Sequence, residues 1–152
     1  MKTKSIEERL TRIEDKLAIK ALVDTFSNLA DTKEIDQQVM LFTEDGEVVS
    51  VSDGNRTVLK GRAQLKAAFE GFLANFQTVY HQNGQQTIEE LTETSAKATS
   101  YCRVILVGNQ EGTTTKTTLY TIYNDVYEKQ NGKWLIKNRT SNFVRREVEV
   151  EH

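Results

Sequence analysis

Proline is absent from this 152-residue chain, cysteine occurs once, at Cys102, and histidine twice, at His81 and His152. Without proline, every turn has to be built on Gly, Asn or Asp, which tolerate a left-handed backbone or bond their own chain. A single cysteine excludes an intrachain disulfide and fits a reducing compartment. One interior histidine and one cysteine fall short of the nitrogen and sulfur ligands that a zinc site uses, so no metal is expected. Redox work by Cys102 lacks a partner cysteine. Apolar runs are short as well: the run Val104–Val107 spans four residues and none is longer, far less than a bilayer requires. The opening residues MKTKSIEERL contain no apolar core of the kind a secretory signal needs. No membrane contact and a cytoplasmic location are therefore expected. The net charge of −2 leaves no basic footprint for nucleic acid. Glycine-rich phosphate loops and a Gly-x-Ser-x-Gly elbow are both missing, and no cofactor is expected.

What remains is an ordinary globular composition, 38% hydrophobic and 28% charged, long enough to bury a real core. One domain over 1–152 is expected, with an ordered core at about 5–146. Its strongest local signal is Tyr120–Arg139, which reads as two strands joined at Asn131-Gly132, a type I′ hairpin turn. With Gln130 opposite Lys133, regular pairing sets Tyr127 against Ile136, Asp125 against Asn138 and Tyr123 against Thr140. One face then carries Tyr123, Asp125, Tyr127, Trp134 and Ile136, an aromatic surface that other elements must cover.

Upstream, Ser5-Ile6-Glu7-Glu8 matches a capping box and opens a long first helix. Ile6, Leu10, Ile13 and Leu17 recur at four-three-four spacing, followed by Leu22, Phe26 and Leu29. The first four residues resemble a short coiled-coil seam; contact with a second subunit and packing on the domain's own sheet are both open. Glu34–Phe42 is expected as a short second helix. Glu47–Val51 and Arg56–Lys60 are expected as a hairpin about Asp53-Gly54-Asn55, and Arg62–Phe76 as a third helix. From Val79 onward the pattern is all strand: Val79–Leu91, Ala96–Val107, Thr114–Lys129 and Lys133–Arg145, with Glu147–His152 as a frayed end. Helices followed by an antiparallel meander predict an α+β domain with helices on one face of a curved sheet.

His81 is the only plausible imidazole acid or base within the fold; the alternative is a histidine that bonds a neighbour at the sheet edge. Asp31 ends the long first helix, where an acid is unfavourable to the helix dipole. It either caps the next helix or serves a pocket. Asp125 lies mid-strand, where aspartate is disfavoured, and a structural ion pair or hydrogen-bonded acid accounts for it better than catalysis. Tyr101, Tyr123 and Asn138 are strand residues that could line a cavity or simply pack.

Taken together, Ala18-Ile19 through Leu29-Ala30-Asp31, Leu41-Phe42-Thr43-Glu44-Asp45-Gly46, Gly61-Arg62-Ala63, Tyr80-His81 with Asn83, Ala96 to Tyr101, Tyr123-Asn124-Asp125, and Gly132-Lys133-Trp134-Leu135-Ile136 with Arg139 resemble the SnoaL-like branch of the nuclear transport factor two-like superfamily. The resemblance runs from about Ile13 to Arg139 and implies a cone-shaped α+β barrel. In it a strongly curved, mostly antiparallel sheet and three N-terminal helices enclose an apolar cavity. It also implies a homodimer through the outer sheet face and a small apolar ligand. In the scytalone dehydratase branch, an aspartate ending the first helix and pocket histidines perform acid–base work. Asp31 and His81 match two of those positions; the second histidine has no counterpart between Asn83 and Glu151. Two functional readings follow. One is a cofactor-independent lyase or isomerase using His81 and Asp31, with Tyr101, Tyr123 and Asn138 toward the substrate. The other is a non-catalytic ligand carrier or dimeric assembly module.

Overall fold

The computed structural model describes residues 3–152. Helix α1 (Ile6–Asp31) and the short α2 (Ile35–Val39) lead into strands β1 (Phe42–Ser52) and β2 (Asn55–Lys60). Helix α3 (Arg62–Leu73) then precedes β3 (Thr78–Leu91), β4 (Ser95–Gln110), β5 (Thr113–Gln130) and β6 (Lys133–Val150). The six strands form one curved, unclosed sheet in the order β2-β1-β6-β5-β4-β3. Every pairing is antiparallel except β1 with β6. The α+β class expected from the element order is what forms.

Not every turn uses Gly, Asn or Asp as expected: the β3–β4 turn, Thr92–Thr94, is closed by the Thr92 hydroxyl, which accepts from the Thr94 and Ser95 amides at 3.3 and 3.0 Å. Three two-residue turns, at Asp53-Gly54, Glu111-Gly112 and Asn131-Gly132, place both central residues at positive φ. That is the type I′ geometry, whose twist matches the flanking strands. Glycine takes the second position each time, where a β-carbon would be strained.

Helix α3 ends at Leu73 and not at Phe76, β4 runs on from Val107 to Gln110, and two boundaries differ further from expectation. Phe42 does not end a helix; it starts β1 and pairs with Ile136 of β6. Residues Glu147–Val150 are not frayed but continue β6 against Thr118–Thr115 of β5. Both segments add backbone hydrogen bonds to an existing long strand, a tertiary gain that local propensity does not register.

The core lies between the helices and the inner sheet face. Ile19, Val23 and Phe26 of α1 and Leu65 of α3 are buried against Phe42, Tyr127, Trp134 and Ile136. Thus the aromatic face of the β5–β6 hairpin is covered, mainly by α1. Ser5 caps α1, its Oγ accepting from the Glu8 amide at 3.1 Å.

The decisive irregularity is in β6. Pairing runs from Gln130–Lys133 to Tyr127–Ile136, then shifts by one residue, so that Val126 meets Asn138 and Asp125 meets Arg139. Lys137 is the extra residue of a β-bulge. Because strand side chains alternate, one extra residue exchanges the two faces for the residues that follow, up to a second bulge at Val144. Regular pairing would have turned Asn138 inward; the bulge turns Arg139 and Ser141 inward instead.

The exit of α3 is held tightly to the sheet. The Gln77 amide donates to the Val107 carbonyl at 2.8 Å, and a β-carbon at Gly108 would lie 2.5 Å from the Asn75 carbonyl oxygen. Gly108→Val should therefore destabilise the fold by about 1–3 kcal/mol through overpacking. Urea denaturation followed by circular dichroism measures this; an unchanged midpoint would show that the α3 exit is free to move.

Candidate active site

A cavity of about 270 Å³ lies between the inner sheet face and the helices, and all three helices and all six strands contribute to its wall. Its lining is mostly apolar, from residues such as Phe26, Phe69, Phe72, Leu106 and Phe143. Polar groups from Gln38, Ser50, His81, Tyr123, Arg139 and Ser141 are set into it. An apolar wall with a few placed polar groups is the usual make-up of a small-molecule site, and the volume suits a small ligand.

His81 and Asp31 meet at this wall. The Asp31 carboxylate accepts from the His81 backbone amide at 3.0 and 3.1 Å, and Nδ1 of the imidazole lies 2.6 Å from Oδ1. Asp31 does not cap α2, whose N-cap is Glu34 with no side-chain capping bond. Two donors from one residue fix the carboxylate, which explains an acid at the unfavourable end of a helix. A carboxylate only accepts, so Nδ1 is the donor in this contact, and Asp31 leaves Nε2 unengaged. The His81 side chain is 9% exposed and lines the cavity, whereas Asp31, at 25%, stands behind it.

Further clamps hold β3 to α1. Asn83 Nδ2 donates to Asp24 Oδ1 at 2.9 Å, and Ser27 Oγ donates to Asn83 Oδ1 at 3.1 Å. Asn83 and His81 project from the same face of β3, so the two clamps act together on the histidine-bearing strand.

Opposite, Arg139 is fully buried. Its Nε and Nη2 donate to Asp125 at 2.9 and 3.0 Å, and Tyr127 OH donates to the same carboxylate at 2.5 Å. The guanidinium lies over the Tyr123 ring, 3.7 Å from its centroid, and 4.4 Å from that of Phe26, close enough for cation–π attraction. Burial opposes its charge, but Asp125 more than offsets this and holds Arg139 further toward the protonated form. Burial, then the Asp125 charge, pushes Tyr127 well up; burial, then neighbouring Cys102, does the same to Tyr123. Both phenols stay neutral donors.

Two buried polar atoms at the cavity residues lack partners: Arg139 Nη1, a donor, and Gln38 Oε1, an acceptor. The Gln38 amide has a defined orientation, because its Nε2 donates to the Phe26 carbonyl at 3.3 Å. Turning the amide over would set two acceptors face to face.

Of the residues singled out from the sequence, His81 and Tyr123 line the cavity, and Asp31 bonds His81 from behind its wall. Tyr101 does not: Ser100 and Cys102 turn inward on β4, and Tyr101, 43% exposed, belongs to a shallow depression on the outer sheet face. Asn138 is also on the outer face, displaced by the bulge. Arg139 and Gln38 escaped notice as site residues. Arg139 had a signal, a charge beside an unfavourable mid-strand acid, but regular pairing set the two apart. Gln38 carried none. Among the described residues, no cluster of His, Cys, Asp and Glu could hold a metal ion.

The model of the SnoaL-like domain matches residues 11–140. No curated protein matches the chain. Among solved structures, a scytalone dehydratase-like protein of Novosphingobium aromaticivorans superposes with a TM-score of 0.78 at 26% identity, covering 93% of this chain and 91% of its own. From the same organism, a protein described as an aromatic ring hydroxylase gives 0.79 at 24%, covering 91% and 94%. Hexachlorocyclohexane dehydrochlorinase LinA-type3 of Novosphingobium barchaimii gives 0.78 at 13%, covering 93% and 94%. The last two likenesses are of fold.

Two outcomes follow from the site's electrostatics. Asp125→Ala leaves a buried guanidinium uncompensated and should cost about 3–5 kcal/mol of stability, read from urea denaturation; a loss below 1 kcal/mol would mean that water reaches Arg139. Burial, outweighing the Tyr123 hydrogen bond, pushes the Cys102 thiol up to about 11. The unfolded thiol ionises first, so its contribution to stability is lost as pH rises from the unfolded value toward 11. Iodoacetamide at pH 8 should accordingly label Cys102 at least tenfold more slowly in the folded protein than in guanidinium.

Proposed function

The chain belongs to the SnoaL-like domain family, and we propose that it binds a small oxygenated ligand in the inner cavity and acts on it as a cofactor-independent lyase or isomerase. The observation that carries this reading is the 2.6 Å contact between Asp31 and His81 at the wall of an apolar cavity. With Nδ1–H held by Asp31, Nε2 is the group positioned to take a proton from a carbon of the ligand. Asp31 fixes the tautomer and stabilises the imidazolium that forms. The proton is then returned to a leaving oxygen, as in a dehydration, or to a different carbon, as in an isomerisation. Arg139 Nη1 is the donor for negative charge that develops on a ligand oxygen, in a site where few waters compete. Tyr123 is held neutral beside it and supplies a second polar contact. Gln38 Oε1 accepts from a hydroxyl or N–H of the ligand, which favours an oxygenated molecule over a bare hydrocarbon.

This assignment has the roles of base, orienting acid and charge stabiliser filled by separate side chains. It needs no second histidine, since Arg139 occupies the electrostatic role. The structural relative named for dehydratase activity, at 26% identity, supports an elimination.

Deuterium exchange and elimination, followed by NMR on a panel of cyclic hydroxyketones in D2O, test the reading. His81→Ala should reduce the rate by about 10²–10⁴-fold while binding, followed by Trp134 fluorescence, is largely kept. Binding without exchange or elimination by the parent protein would instead identify a ligand carrier.

A further inference from the structure

Helix α1 carries apolar residues on two opposite sides. Its C-terminal half turns Ile19, Leu22, Val23 and Phe26 into the core. Its N-terminal half meets the rest of the domain through polar groups: Asp15, which accepts from Trp134 Nε1 and Lys129 Nζ at 2.9 Å each, and Arg12, which donates to the Leu91 carbonyl at 3.3 Å. At about 100° per residue, Ile6, Leu10, Ile13 and Leu17 fall within about 60° of one another and opposite Asp15 and Phe26. They are 55–80% exposed. The domain thus docks the polar side of this half-helix and presents the apolar side to solvent. Intramolecular packing, one of the two origins the spacing allowed, is thereby excluded.

We propose that this stripe is a self-association seam, in which α1 packs in parallel against α1 of further copies of the same chain. Four-three-four spacing assigns Leu10 and Leu17 to heptad position a, and Ile6 and Ile13 to position d. Glu7 and Glu14 then occupy e, and Arg9 and Lys16 occupy g. In a parallel arrangement g faces the following e of a neighbour, so Arg9 meets Glu14 of the next copy. An antiparallel arrangement sets e against e and g against g, acid on acid and base on base. Charge therefore selects the parallel form of a second copy. Leu at a with Ile at d favours three or four strands over two. The helix is already formed and anchored, so association carries no cost of helix nucleation. Each domain body lies on the far side of α1 and leaves the seam free to close.

The experiment is multi-angle light scattering and sedimentation velocity on the full chain, with three variants. The parent protein should assemble. L10D/L17D should weaken association about a hundredfold or more with unchanged far-UV circular dichroism, since neither side chain packs on its own domain. Leu10→Cys tests orientation: equal a positions adjoin only in the parallel form, and the natural Cys102 is buried, so oxidation should give an intermolecular disulfide on a non-reducing gel. Glu14→Lys should weaken the parallel assembly and would strengthen an antiparallel one. A monomeric parent, an assembly unchanged by L10D/L17D, or an assembly tightened by Glu14→Lys would overturn the proposal.

Discussion

A charged pair without access to water organises the inside of this protein. Asp125 and Arg139 are almost completely buried, and burying such ions is costly unless their hydrogen bonds are met. Three donors meet the carboxylate, and two aromatic rings flank the guanidinium. The arrangement exists only because β6 bulges at Lys137 and brings Arg139 opposite Asp125. One Nη2 and one Nε are consumed by the pair, and Nη1 is left over. The same interaction that holds the hairpin to its covering helix thus leaves a cationic donor at the cavity. On the proposed function, stability and site chemistry share one residue.

The long first helix is the second constraint. Its C-terminal half covers the ion pair through Phe26 and ends by delivering Asp31 to His81. Asp24 and Ser27, a turn or two earlier, clamp Asn83 on the same strand. Acid, histidine and strand are therefore set by one rigid element, the condition under which a catalytic geometry is maintained to a fraction of an ångström. Its N-terminal half extends past the core and is tied down by Asp15 and Arg12 instead of by apolar burial.

Much of this was legible in the chain. The Asn131-Gly132 turn fixed the first part of the β5–β6 register, and helical spacing located α1 and α3. The helix-ending position of Asp31 and the scarcity of histidine picked out the two residues that the structure joins. Tyr101 and Asn138 were misplaced for a common reason: strand parity decides which face a side chain takes, and parity depends on register across the whole sheet. Arg139 was hidden by the same irregularity. The extension of β6 to Val150 was missed because its stabilisation comes from β5 and not from its own residues.

The sequence by itself determined the class of fold, the order of elements, the glycine-bearing tight turns and the two candidate residues, Asp31 and His81, that the structure joins. Those features rest on interactions between residues close in the chain, or on residue types too rare to have substitutes. Only tertiary structure decided which face each strand residue occupies, that Asp31 bonds His81 in place of capping α2, and that Ile6, Leu10, Ile13 and Leu17 face away from the domain. Each of these outcomes depends on contacts between segments distant in sequence, where a single bulge or the direction of one helix reverses inside and outside.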